Sequence, residues 1–96
     1  MKHASSLLDK YSVVMLQETH GSLATIDIYF RMYFKHFHID ATFYESKAGL
    51  ITFINKSAFP NPQFLKPVIF QDGRIMKSQV VCRSFSVILH SFHNLN

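Results

Sequence analysis

The sequence predicts an α/β domain, because apolar runs typical of buried strands alternate with stretches of helical periodicity. Val13 to Leu16 is an uninterrupted apolar run, as in a strand buried on both faces. Apolar residues then recur at three- and four-residue steps from Leu23 to Phe37, and from Ala41 onwards the pattern becomes β. We therefore expect two helices packed on a mixed, largely antiparallel sheet.

The composition fits one small folded domain. Its 96 residues are 48% hydrophobic, which is enough for a core and too apolar for a disordered segment. The formal net charge of +4 comes from scattered basic residues and fits a polyanionic partner without requiring one. Cys82 is the only cysteine, which is compatible with a reducing compartment. No run is long enough to span a bilayer, so we expect an intracellular protein, nuclear or cytoplasmic, with no membrane partner.

The first predicted elements are a short helix and the buried strand. Apolar residues between His3 and Lys10 have helical spacing, and the strand is predicted over Val13 to Gln17.

The second predicted helix begins after Ser22, which is a suitable N-cap. We expect its aromatic-rich face to pack on the sheet, although Ile26 to Phe30 is also β-prone. Lys35 to His38 ends the helix, with basic side chains near its C-terminus. The predicted apolar face consists of Leu23, Ile26, Phe30, Tyr33, Phe34 and Phe37.

The rest of the chain predicts strands and turns. Phe59 to Pro62 is a loop that interrupts regular structure. Asp72-Gly73 between two apolar runs predicts a hairpin with a type I′ turn. The predicted strands are Ala41–Tyr44, Leu50–Asn55, Val68–Gln71, Arg74–Met76 continued by Gln79–Val81, and Phe85–Phe92.

The strongest candidate for a functional residue is Glu18, which follows the first buried strand. Ligands of open α/β sheets bind beyond the carboxyl ends of the strands. A carboxylate there could hold Mg²⁺, which proteins bind through one or two carboxylates. A solvated glutamate at the end of a strand is the simpler alternative.

Four segments together resemble the endonuclease/exonuclease/phosphatase superfamily, and most closely the apurinic-endonuclease-like domain of LINE-type retrotransposon proteins. Residues 13–20, ending in Leu16-Gln17-Glu18-Thr19-His20, are similar to its glutamate motif. The other three are similar to its alanine-glycine strand, its glycine-arginine hairpin and its tyrosine strand. They are Lys47–Ile54, Asp72–Ile75 and Val87–Asn94.

This resemblance implies a partial four-layer α/β sandwich of the DNase I-like type over residues 1–96. The family's first strand and C-terminal half would be missing from it. It also implies a phosphodiesterase that nicks DNA with Mg²⁺ or Mn²⁺ and leaves a 3′-hydroxyl for reverse transcription. No small-molecule cofactor is expected, and the oligomeric state is left open.

The resemblance implies roles for the residues around Glu18. Glu18 would ligate the divalent cation that polarises the scissile phosphate. Gln17 and Thr19 would orient its carboxylate. His20 would contact the phosphate backbone of the substrate, although a loop histidine without a ligand is equally compatible with the sequence.

The tyrosine position of the family falls on Phe92 or His93, and the sequence leaves this alignment open by one residue. We favour His93 as the catalytic group, because an imidazole keeps a proton donor there and Phe92 would lose it. Asn94 then takes the place of the small residue that follows the tyrosine.

The implied catalytic set is incomplete. No asparagine or aspartate of this chain stands in the context of the family's upstream Asn, its Asp-x-Asn pair or its Asp-His pair. General-base help is commonly worth about 10²- to 10⁴-fold in rate, so we expect little activity from this chain alone.

Other readings of the sequence remain open. The chain could be a non-enzymatic module that binds nucleic acid or protein through an exposed sheet face, or a decayed relic. Sugar or inositol-phosphate hydrolysis is a further option within the superfamily.

The His36-x-His38 pair lacks a third ligand at a familiar zinc spacing. For the aromatic series from Tyr29 to Tyr44, core packing is favoured over base stacking.

Overall fold

The computed structural model describes Leu8 and residues 10–17, 23–44 and 47–92. A single 3₁₀ turn, Lys56–Ala58, follows the third strand. The helix and strands are β1 (Val13–Gln17), α1 (Leu23–Tyr33), β2 (Phe37–Tyr44), β3 (Lys47–Asn55), β4 (Gln63–Phe64), β5 (Val68–Gln71), β6 (Ile75–Val81) and β7 (Ser86–Phe92).

The strands form two antiparallel sheets. The first sheet has the order β1-β3-β2, with β3 in the centre. In the second sheet, β6 is central: β4 and β5 pair along one of its edges and β7 along the other. All pairs described here are antiparallel. Short connections, which favour this arrangement, join β2 to β3, β5 to β6 and β6 to β7.

The predicted fold class is therefore wrong. In the described part of the chain, the protein is mostly β-sheet with one complete helix, and it is not a sandwich of helices packed on a mixed sheet. β2 begins at Phe37, where the helix was expected to end, and runs through Ala41–Tyr44, which was predicted as strand. Of the predicted helix His3 to Lys10, only Leu8 and Lys10 are described, and both have helical conformation.

One face of the first sheet packs against α1. Alternate residues of the strands point to this face, and Tyr33 of the helix meets Phe37 and Phe53 edge to face, with ring centroids 6.1 Å apart in each pair. The buried cluster on this side consists of Leu8, Val14, Phe37, Ile51 and Phe53.

The opposite face of the first sheet packs against the second sheet. Leu50, Thr52 and Ile54 of β3 alternate with the residues of the helix side and are almost fully buried. Met76 and Val80 of β6 are equally buried and face them from the second sheet. The molecule thus has three layers, namely a helix, the first sheet and the second sheet, with apolar packing at both junctions.

The helix is described from Leu23, as predicted, but it differs from the prediction in two respects. It ends at Tyr33, and Phe37 belongs to β2. Phe30 and Phe34, which were expected to pack on the sheet, are 48% and 43% exposed and stack on each other at the surface. Only part of the predicted aromatic face therefore contributes to the core.

The hairpin at Asp72-Gly73 is confirmed, but its turn type is not. Gln71 pairs with Ile75 across a three-residue loop, and Gly73 has a positive φ of 72°. A type I′ turn requires a positive φ at both central residues, and Asp72 does not have one.

Among the described residues, no helix is long and apolar enough to cross a membrane.

Candidate functional site

The end of β1 is joined to the end of β7. The side-chain amide of Gln17 donates a hydrogen bond from Nε2 to the backbone carbonyl of Phe92. Gln17 immediately precedes Glu18 in the sequence, and Phe92 immediately precedes His93. The described ends of the two segments that carry the predicted catalytic and metal-binding residues therefore lie next to each other.

A cavity of about 200 Å³ lies at this junction. It opens between the two sheets where β1 and β7 end, and most of its wall is apolar. Its lining residues are Met15, Gln17, Leu50, His90, Ser91 and Phe92.

The hydroxyl of Ser91 links three strands beneath this cavity. Ser91 is buried, and its Oγ donates to the sulfur of Met15 at 3.2 Å. The Oγ1 of Thr52 lies 3.1 Å from the same oxygen. Because the serine hydroxyl has one proton, Thr52 donates in this second bond. The contacts fix β7 against β1 and β3 and hold the floor of the cavity in place.

A second junction between the sheets is formed by two glycines. Gly49 is the extra residue at a bulge in β3, where the pairing with β2 shifts by one position. The backbone of Gly73, in the β5–β6 loop, lies so close to Gly49 that a Cβ there would overlap it. The N–H of Gly73 also donates to Oγ1 of Thr42 at 3.0 Å. The hairpin is thereby docked onto the first sheet.

The four segments that resemble the superfamily meet in pairs, one pair at the Gln17–Phe92 contact and one at the Gly49–Gly73 contact. The glutamate segment meets the tyrosine strand through Gln17 and Phe92, and the alanine-glycine strand meets the glycine-arginine hairpin through Gly49 and Gly73. Sequence order alone does not bring these pairs together, since members of the first pair are separated by 75 residues.

A polar pair that the sequence analysis missed lies on β2. His38 Nε2 is 2.8 Å from Oδ1 of Asp40, and the imidazole stacks on Phe64 of β4 with ring centroids 4.5 Å apart. Asp40 is 3% exposed, and its second oxygen Oδ2 has no partner among the described residues. The His-x-Asp spacing on a strand was the available signal, because residues i and i+2 share a face. His36 lies in the preceding turn and is exposed, so it does not share this face.

Most of the predicted site residues lie outside the described residues. Only Gln17 is described, and its amide contacts a backbone carbonyl rather than a described carboxylate. The predicted residues outside the described ranges are Glu18, Thr19, His20, His93 and Asn94.

The described wall of the cavity does not by itself provide a site for a divalent cation. It carries hydroxyl, imidazole and amide groups but no carboxylate, and Mg²⁺ binding in proteins usually depends on at least one. Within residues 10–17, 23–44 and 47–92 there is no group of three or more His, Cys, Asp or Glu side chains close enough to share a metal ion. A cation at this junction would require Glu18.

The chain matches no protein-family model, and comparison with curated proteins and with solved structures found no significant match. The family resemblance therefore depends on the four sequence segments alone.

Proposed function

We propose that this chain carries part of the active site of a divalent-metal-dependent phosphodiesterase that acts on DNA, of the type that nicks a retrotransposon target. The observation that carries the proposal is the hydrogen bond from Gln17 to Phe92. The resemblance requires the glutamate segment and the tyrosine strand to contribute to one site. The bond joins the described end of the glutamate segment, Gln17, to the described end of the tyrosine strand, Phe92.

The proposal gives each residue a task. Glu18 binds Mg²⁺ or Mn²⁺, and a cation bound there would polarise the scissile phosphate. Gln17 holds the end of β1 to the backbone of β7, and Thr19 helps to orient the Glu18 carboxylate. His93 holds or protonates a phosphate oxygen. His20 donates to the phosphate backbone.

The contact between Gly49 and Gly73 also supports the proposal. It joins two further segments that resemble the same family, the alanine-glycine strand and the glycine-arginine hairpin. The catalytic set remains incomplete, so metal binding is a better test of the site than nuclease activity.

The test is a titration of the folded chain with Mn²⁺, followed by NMR. Paramagnetic broadening falls steeply with distance, so a cation at Glu18 broadens the amide signals of Gln17 and Phe92 more than those of α1. Glu18→Gln removes the charge and is expected to abolish this selective broadening. Asp27→Asn is the matched control, because it removes an exposed carboxylate that pairs with Arg31 at 2.9 Å on the helix.

The result that would contradict the proposal is a folded wild-type chain without selective broadening near the junction. Equal broadening in the wild type and in Glu18→Gln would contradict it as well. A site that survives in Asp27→Asn and is lost in Glu18→Gln would justify supplying the missing catalytic residues in trans and measuring the nicking of supercoiled DNA.

A further inference from the structure

The outer face of the second sheet is the face that points away from the first sheet. Met76, Ser78 and Val80 of β6 are buried between the sheets, so the residues that alternate with them point outwards. The pairing of β6 with β4, β5 and β7 defines the neighbours of these residues on the same face. The outer face consists of Gln63, Val68, Gln71, Ile75, Lys77, Gln79, Val81, Ser86, Ile88, His90 and Phe92.

Aromatic rings are exposed on this side of the sheet. Phe92 is 57% exposed, and its ring lies nearly parallel to that of His90, with an interplanar angle of 26° and centroids 6.5 Å apart. Phe70 is 60% exposed and lies at the bulge of β5, where Phe70 and Gln71 together oppose the outward-pointing Ile75. Exposed rings of this kind present flat apolar surfaces on which unpaired bases can stack.

Lys77 carries the one formal charge among the outer-face residues. Lys77 lies at the centre of the sheet, in the cross-strand row between Val68 and His90. No described carboxylate forms an ion pair with Lys77. Residues 63–92 contain four basic residues, and their one carboxylate, Asp72, lies in the β5–β6 loop.

The helix surface provides a contrast within the same molecule. Phe30 and Phe34 are also exposed and stacked, with centroids 5.8 Å apart. Beside these rings, Arg31 pairs with Asp27, and the Lys56 ammonium donates to the backbone carbonyl of Phe34 at 2.7 Å. Exposed rings with a nearby cation therefore do not by themselves distinguish the outer face. The outer face differs because it presents Lys77 and its rings on paired strands, with Lys77 directly opposite His90.

We propose that the outer face of the second sheet binds single-stranded nucleic acid. Bases stack on Phe92, His90 and Phe70, and Lys77 contacts a phosphate between them. The edges of bases in a duplex are paired and their faces are stacked internally, so this mode selects single strands. Antiparallel sheets with exposed aromatic residues are a recurring surface for this purpose, and stacking tolerates any base because every base has a flat π-face.

This binding is separable from the proposed phosphodiesterase site, although His90 and Phe92 also line the cavity at the junction. It needs neither Glu18 nor a divalent cation, and it uses the side chains of β5, β6 and β7 on the face that points away from the first sheet. A loss of one activity can therefore be measured without loss of the other.

The test is fluorescence anisotropy with a labelled oligothymidylate and a labelled oligouridylate of about ten nucleotides, within the range of known single-strand sites. The measurements are made in EDTA at low salt, with a labelled duplex of the same length as competitor. We expect both single strands to bind and the duplex to compete poorly. The two single strands distinguish DNA from RNA as the preferred ligand.

Three variants locate the binding surface. Phe92→Ala is expected to weaken binding by at least about fivefold, the lower end of what one stacked base contributes. Phe70→Ala tests the same surface at a residue that does not line the cavity. Lys77→Gln is expected to reduce the slope of log K against log salt by about 0.7, as for one lost phosphate contact. Phe30→Ala and Lys35→Gln are the matched controls, since both residues are exposed on the helix side of the molecule.

The proposal is overturned if neither oligonucleotide binds the folded wild type at low salt, or if the duplex competes as well as the single strands. It is also overturned if the control variants weaken binding as much as the outer-face variants do. Binding that stays unchanged in Phe92→Ala, Phe70→Ala and Lys77→Gln would leave the face available for a protein segment and refute its role with nucleic acid. Glu18→Gln is expected to bind with unchanged affinity, which separates this result from the test of the phosphodiesterase site.

Discussion

Replacement of Gly49 by alanine tests the junction between the two sheets directly. The added Cβ would lie 2.6 Å from the carbonyl carbon of Gly73 and closer still to its Cα and carbonyl oxygen. Gly49 itself does not have a positive φ, so alanine can adopt its backbone conformation without strain. Any destabilisation therefore comes from the overlap with Gly73 and not from the backbone of residue 49.

The expected size follows from the nature of the contact. Overpacking of a buried site costs roughly 1–3 kcal/mol, and the upper end applies here because backbone atoms cannot rotate away as a flexible side chain can. Alanine also restricts the unfolded chain, which offsets this cost by about 0.4–1 kcal/mol. We expect a net loss of about 2 kcal/mol in the free energy of unfolding. In a chain of this size, that loss lowers Tm by about 10 °C.

The assay is urea unfolding followed by circular dichroism, with thermal unfolding as a second measurement. Gly49→Ala is expected to lower the midpoint at an unchanged m value, because the same surface is exposed on unfolding. Ser86→Thr is the control, since it adds one methyl group at an exposed strand position and is expected to change stability by less than about 0.5 kcal/mol. A Gly49→Ala variant as stable as the wild type would refute the close approach of the hairpin loop to β3.

Two further substitutions test the buried polar contacts. His38→Leu removes the described partner of the Asp40 carboxylate, which stays buried, and we expect unfolding measurements at neutral pH to show a loss of about 3 kcal/mol. The double variant His38→Leu/Asp40→Leu should recover most of that loss, and a double variant no more stable than the single one would contradict this explanation. Ser91→Ala deprives the buried hydroxyl of Thr52 of its described partner, so we expect a loss of about 1–3 kcal/mol and faster hydrogen exchange at the end of β7. Unchanged exchange in β7 would argue against Ser91 as the link between the strands.

The positions of the described strands other than β4, which was not predicted, could be predicted from the sequence to within four residues. β1 occupies the predicted residues, and the hairpin around Asp72-Gly73 forms as expected. The prediction that β1 is buried on both faces is wrong, because β1 lies at the edge of its sheet and only Val14 in it is buried. These elements depend on local properties, namely an apolar run that must be buried and a turn sequence that favours chain reversal. The predicted boundary between the helix and β2 was wrong. Phe37 begins β2, although its spacing from Phe34 also fits a helical pattern.

The fold class could not be predicted in the same way. Both the helix side and the sheet side of β3 are apolar, and an apolar run does not reveal whether a helix or a second sheet covers each face. The pairing of β1 with β3, across the helix and β2, is a long-range contact that no local pattern encodes. The exposure of Phe30 and Phe34 has the same cause: the helical pattern predicts an apolar face, but only packing decides how much of it is buried.

The sequence by itself determined the available chemical groups and a local turn: Glu18 is a carboxylate after an apolar strand, His20 and His93 are imidazoles, and Asp72-Gly73 forms a turn. The tertiary structure alone decided which of these segments meet. It joined Gln17 to Phe92, docked Gly73 onto Gly49, buried Asp40 against His38 and left Lys77 among exposed rings. The physical reason is that side-chain chemistry and local conformation are properties of neighbouring residues. Sheet register and the packing of one sheet on another depend instead on contacts between residues far apart in the chain.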